Sequence, residues 1–210
     1  MNYRERIIEE ASKMFRTYGI RAVTMDMLAG QMNISKRTIY EVFRDKDELL
    51  RGVLEWMAAR QKEKNAEIMK SSDNVIEAIF RIINMMLDHF QKISPAFLMD
   101  LKRIHLEAIE NAEKHNSIPY VDNNYEILKK GVEQGIFRND INIELTNKCM
   151  LEVSKMTVDK EIFPPDHFQG SEVVKNLYIS YLRGISTPKG LELIDKYYKT
   201  DSKKAEEKNH

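Results

Sequence analysis

The first 94 residues contain no proline, and the 210-residue chain has only five prolines and eight glycines. The prolines are Pro95, Pro119, Pro164, Pro165 and Pro188. So few helix breakers among many Glu, Lys, Leu, Ile and Met residues favour helix. The alternating, β-branched runs of strands are nearly absent. The chain is therefore read as all-α. Its length suits about one or two domains, with a core that needs no disulfide or metal staple.

Apolar spacing divides the chain into successive helices. Ile7, Ile8, Ala11, Met14, Phe15 and Tyr18 form one stripe of a first helix, which Gly19 ends. Thr24 is placed to cap a short second helix with Leu28 and Ala29 inward, and Ser35 a third with Ile39, Val42 and Phe43 inward. Asp45 opens a long fourth helix reaching Met69, with Asp47 and Glu48 in its first turn. Ser71 to Asn74 breaks the pattern. A very apolar fifth helix, about 73–92, follows. The sixth runs from Pro95 to about His115, the seventh from Pro119 to near Gly135, the eighth from Ile143 to about Glu161, and the ninth over 171–185. A last amphipathic helix holds Leu191, Leu193, Ile194 and Tyr197. The charged stretch 201–210 lacks apolar residues and is expected to be disordered.

Composition narrows function. With 42% hydrophobic residues the chain is not a disordered protein. Thirty-three basic side chains balance thirty-three acidic ones, so any nucleic-acid site must be local. The only cysteine, Cys149, excludes an intrachain disulfide and a multi-cysteine zinc site; it is expected to be buried between Leu145 and Val153. His89, His105, His115 and His167 are not at metal-ligand spacing. The most apolar segment, Val75 to Phe90, carries Glu77, Arg81, Asn84 and Asp88, and falls short of the roughly 18 clean residues a span needs. The N-terminus has no export signal. These features predict a cytoplasmic protein without membrane contact, metal or cofactor.

The stretch Met25 to Phe43 has the form of a helix-turn-helix. Ala29 is the small residue where two short helices cross. Leu28, Met32, Ile34, Ile39 and Val42 are apolar anchors on both sides of the turn. Asn33 tolerates the left-handed geometry the turn requires. Ser35, Lys36, Arg37, Thr38, Tyr40 and Glu41 then face outward, a set suited to phosphates and base edges. Residues 1–44 hold eight cations against five anions, a net of +3.

Residues 4–50 resemble the DNA-binding head of the tetracycline-repressor (TetR) family. The residues that carry the likeness are Ala11, Phe15, Tyr18, Gly19, Val23, Thr24, Leu28, Ala29, Ile34, Ser35, Lys36, Thr38, Ile39, Tyr40, Phe43, Lys46, Glu48 and Leu49. Residues 131–138 and 181–185 are similar to segments of the family's ligand domain. Asn33 replaces the usual turn glycine. Glu41 and Val42 stand where the family often has an aromatic residue and a histidine, so a half-site sequence does not carry over.

The resemblance implies a three-helix DNA-binding head over residues 1–48, linked by helix 45–69 to a helical ligand-binding and dimerisation domain over 49–200. It implies phosphate contacts from Thr24, Ser35, Thr38, Tyr40 and Lys46, and base contacts from Lys36, Arg37 and Glu41. A small-molecule effector would lie among Met86, Phe90, Leu101, His105, Tyr125 and Met156. A homodimer would use Val153, Val173, Leu177, Tyr178, Tyr181 and Leu182. The expected function is a ligand-responsive repressor that binds a near-palindromic operator in double-stranded DNA. The alternative is a helical adaptor, or a regulator without a small-molecule inducer. No paired nucleophile and base, phosphate loop or metal-spaced cluster points to an enzyme.

Overall fold

The computed structural model describes residues 2–112, 122–157, 159 and 161–208. Among them are ten helices and no strand: α1 Tyr3–Tyr18, α2 Met25–Met32, α3 Lys36–Tyr40, α4 Lys46–Lys70, α5 Val75–Gln91, α6 Pro95–Ala112, α7 Asp122–Glu133, α8 Ile143–Met156, α9 Gly170–Ile185 and α10 Pro188–Lys208. None is long and apolar enough to cross a membrane. The expected end of the sixth helix near His115 and start of the seventh at Pro119 lie outside the described residues. The chain packs as two compact units, Met1–Glu63 with Asp88–Ile118, and Lys64–Leu87 with Pro119–His210.

The first unit is built on the stripe of α1. Ile7, Ile8, Ala11, Met14 and Phe15 are buried with Leu28, Ala29, Ile39, Phe43, Leu49 and Val53. Tyr18, the last residue of the expected stripe, is 56% exposed instead.

The head recruits more chain than the boundary near residue 48 implied. Phe97 of α6 is buried in the same core. The Ser94 N–H donates to the Arg16 carbonyl at 2.9 Å, and the Arg21 N–H donates to the Asp100 carboxylate at 2.9 Å. Gly19 makes this approach possible. Its φ of 91° and ψ of 154° lie in a region essentially reserved for glycine. A Cβ there would stand 2.9 Å from the Cβ of Ala96. Gly19→Ala is expected to destabilise the head by about 2 kcal/mol, from backbone strain before any clash is relieved. Urea unfolding followed by circular dichroism measures it.

The second unit has its own core. Val75, Ile76, Ile79, Phe80 and Ile83 of α5 meet Ile127, Leu128, Ile136, Phe137, Val174, Leu182, Ile185 and Ile194. The α5 start follows the Ser71–Asn74 break, where the Asn74 side chain accepts the Glu77 N–H at 3.0 Å.

Helix α8 presents a different face inward from the one expected. Asn147 and Met150 are buried, while Cys149 is exposed and Leu145 is 60% exposed. The residues that pack inward, Ile143, Asn147 and Met150, follow the i, i+4, i+7 rule and include a polar residue, so apolarity alone selected the wrong face. The helix also ends at Met156, short of Glu161. There Thr157 donates its hydroxyl to the Ser154 carbonyl at 2.7 Å, and Ser154 donates to Leu151 at 2.7 Å. Side chains thus satisfy carbonyls at the helix end.

Helix α10 runs on through the stretch read as a disordered tail, to Lys208. Lys, Glu and Ala are strong helix formers, and elongating an existing helix avoids the cost of nucleation.

Candidate nucleic-acid interface

Three caps set the geometry of the helix-turn-helix. The Thr24 hydroxyl oxygen accepts the Met27 N–H at 3.1 Å and starts α2. Asn33 ends it in the left-handed conformation, φ 54° and ψ 42°, and no other described non-glycine residue has positive φ. The Ile34 N–H reaches the Ala29 carbonyl at 3.0 Å and the Asn33 N–H the Gly30 carbonyl at 3.2 Å. This is the paired closure of a Schellman turn, with Asn in the position glycine usually takes. Ser35 then accepts the Thr38 N–H at 3.1 Å, and its hydroxyl lies 2.7 Å from that of Thr38. These bonds lock the approach of α3 to α2.

Burial sorts α3 into two sides. Ile39 is fully buried, as is Phe43 just beyond the helix. Ser35, Lys36, Arg37, Tyr40 and Glu41 are exposed, and Thr38 is half-buried. Tyr40 keeps 45% of its surface although it is a large aromatic residue. A row of cations, hydroxyls and one exposed aromatic ring on a short helix is a surface for a polyanion with readable edges.

Each cation of this row already has a carboxylate. The Lys36 ammonium meets Asp26 of α2 at 2.6 Å. The hydrogen bond to Asp26 is the main reason Lys36 is held above its ordinary pKa. The Arg37 Nε meets Glu41 one turn on, at 3.2 Å. Glu41, expected to face a base, is the partner of Arg37 in this structure. Both pairs lie at the surface, where ion pairs are weak and exchangeable.

Lys46 stands apart from the row. It begins α4, is half-buried, and donates to the Arg21 carbonyl at 3.4 Å. Burial lowers its pKa, against Asp100 and Asp47, which pull it upward. Thr24 lies on the same stretch of chain as Arg21. Asp26 and Asp100 were not among the residues expected at the DNA surface. Asp26 sits in the first turn of α2, and folding the motif brings it to Lys36. Asp100 carries no local signal.

Met86 packs half-buried on the second unit's core and Leu101 on the first unit's core. Tyr125 and Met156 are largely exposed, at 39% and 43%. The side chains of Phe90 and His105 lie outside the described residues. Of the residues expected at a dimer interface, Leu182 and Val173 are already buried within one chain and belong to its interior. Val153, Leu177, Tyr178 and Tyr181 are half-buried, and the Tyr181 hydroxyl donates to the Thr146 carbonyl. Among the described residues no cluster of His, Cys, Asp and Glu could hold a metal ion.

Residues 7–53 match the bacterial regulatory proteins of the tetR family. The chain is 26% identical over 199 residues to the HTH-type transcriptional repressor KstR2 of Mycobacterium tuberculosis, covering 90% of this chain and 94% of that one. The structure of the ketosteroid transcriptional regulator KstR2 of M. tuberculosis superposes with a TM-score of 0.52 at 21% identity, covering 89% of this chain and 96% of that chain. The fatty acid degradation regulator FadR from Bacillus halodurans superposes with a TM-score of 0.64 at 19% identity, over 87% and 95% of the two chains. The matched segment contains all three caps, the left-handed Asn33 and the outward row of α3, and residues 7–53 are therefore similar to the helix-turn-helix segment of the bacterial regulatory proteins of the tetR family.

Proposed function

We propose that the chain is a dimeric repressor whose two heads read the half-sites of a near-palindromic operator, and that a small apolar effector releases it. The observation that carries the DNA-reading part is the division of α3, with Ile39 and Phe43 buried behind it and Lys36, Arg37, Thr38 and Tyr40 in front. Two such heads related by a two-fold axis would span about one helical turn of DNA. Self-association is supported by the outer stripe of α8, where Leu145, Cys149 and Met156 are exposed in a single chain.

An effector lowers DNA affinity only as far as it binds the DNA-incompetent state more tightly. The names of the relatives, a ketosteroid regulator and a fatty acid degradation regulator, support an apolar effector. Thermal-shift measurement against panels of fatty acids and steroids tests this part, and a flat response across both panels would remove it.

The decisive experiment is selection of duplexes from a random pool, followed by titration of the enriched duplex at several salt concentrations. Arg37→Ala is expected to relax sequence preference. Lys46→Ala is expected to weaken all duplexes alike and to reduce the salt slope by about one. If neither substitution changed binding, the contact assignment would be wrong. If the pool yielded no enriched duplex, the chain would be better described as a helical adaptor.

A further inference from the structure

We infer that Asp26 is a discrimination residue: by pairing with Lys36 it weakens binding to DNA of arbitrary sequence more than binding to the operator. The inference rests on the DNA-reading function proposed above and concerns a residue behind that surface.

Three observations lead to it. Asp26 Oδ2 lies 2.6 Å from Lys36 Nζ, across the turn from α2 to α3. The pair is open to solvent on both sides, with 48% of the lysine side chain and 65% of the aspartate side chain exposed. Asp26 sits in the first turn of α2, two residues after the Thr24 cap, where the helix dipole favours an anion. The same logic recurs at Arg37 and Glu41, so neither cation of the outward row is left without a counter-charge.

The consequence follows from how affinity is generated. Binding to arbitrary DNA comes almost wholly from cations that displace counterions from phosphates. A lysine already paired with a carboxylate displaces fewer. An operator complex also has base-edge hydrogen bonds, which repay the exchange of Lys36 from Asp26 to the DNA. Asp26 therefore lowers the non-specific background by more than it lowers operator binding.

The test compares wild type, Asp26→Asn, Lys36→Ala and the double variant as full chains. Each is titrated with the duplex enriched from a random pool by the wild type, and with a scrambled duplex of equal length, between 50 and 200 mM salt. One additional counterion released at about 0.1 M is worth roughly 0.9 log unit. Asp26→Asn should therefore raise scrambled-duplex affinity about three- to tenfold and steepen its salt slope by about one. Operator affinity should rise less, so that the ratio of the two falls severalfold. Asp26→Glu, which keeps the charge, should restore the ratio. In the Lys36→Ala background Asp26→Asn should change neither slope nor ratio. Thermal melting of each variant establishes that the head is folded. An unchanged ratio in folded Asp26→Asn, or an effect that persists without Lys36, overturns the inference. Failure of the wild type to prefer any duplex would instead refute the DNA-reading function, and the two failures are read from different proteins.

Discussion

Phe43→Ala is expected to lower the stability of the DNA-binding head by about 3–5 kcal/mol, the usual cost of removing a fully buried aromatic ring. Phe43 is 0% exposed, and the Arg4 guanidinium of α1 stands 5.1 Å above the centre of its ring. On another side is Gly52 of α4, where a Cβ would lie only 3.6 Å from the Phe43 Cε1. Its own N–H is bonded to the Ile39 carbonyl at 2.9 Å. One side chain thus joins α1, the end of α3 and α4. Marginal domains have few kcal/mol to lose, so the variant should have a largely unfolded head and no operator binding at ordinary temperature. Urea unfolding read by the fluorescence of Trp56, which packs on the same core, would measure it. A loss below about 1 kcal/mol would mean the ring's site can collapse around the deletion.

The head was legible in the sequence because its architecture is written in short-range chemistry. Thr24 and Ser35 cap the helices they precede, Gly19 ends α1 with a positive φ, and Asn33 is left-handed. Each follows from one residue and its neighbours within about five positions. The outward row of α3 follows in turn, once Ile39 and Phe43 are known to point inward.

What sequence did not disclose depends on distant partners. The Asp100–Arg21 bond joins positions 79 apart, and nothing near Asp100 marks it as belonging to the head. The inward face of α8 was misread because Asn147 is buried there and Cys149 is not, and hydropathy ranks those two the other way. The ion pairs of Lys36 and Arg37 show a subtler limit. Sequence identified the cations as exposed but could not say what they touch before DNA arrives. That depends on where α2 places Asp26 and on the rotamer that carries Arg37 to Glu41. The residues expected around an effector show the same limit. Met86 and Leu101 pack on the cores of different units, because helical periodicity tells which residues face inward but not which core they face.

Gly131→Ala gives the second large effect, and it falls in the other unit. In the interior of a helix this change normally stabilises by up to about 1 kcal/mol. Here a Cβ on Gly131 would stand 2.1 Å from Cδ2 and 2.4 Å from Cε2 of Phe137. The ring is trapped there by the backbone. Gly135 is left-handed at φ 65°, and the Gly131 carbonyl accepts both the Ile136 N–H at 2.9 Å and the Phe137 N–H at 3.0 Å. The chain therefore folds back so that Phe137, 1% exposed, lies directly on the glycine. Neither the ring nor the helix can withdraw without opening the core of Leu128, Ile136 and Leu182. Overpacking of this kind costs about 3 kcal/mol, which outweighs the gain in helix propensity. Two further variants separate the clash from a general intolerance of change. Gly184→Ala in α9, with nothing within 4 Å of the new Cβ, should be neutral or slightly stabilising. Phe137→Leu removes ring atoms and should cost less in the Gly131→Ala background than alone, with a coupling of about 1–2 kcal/mol between the two sites. A double-mutant cycle from urea unfolding measures that coupling, and additive losses would show that the glycine is required for some reason other than the aromatic ring above it.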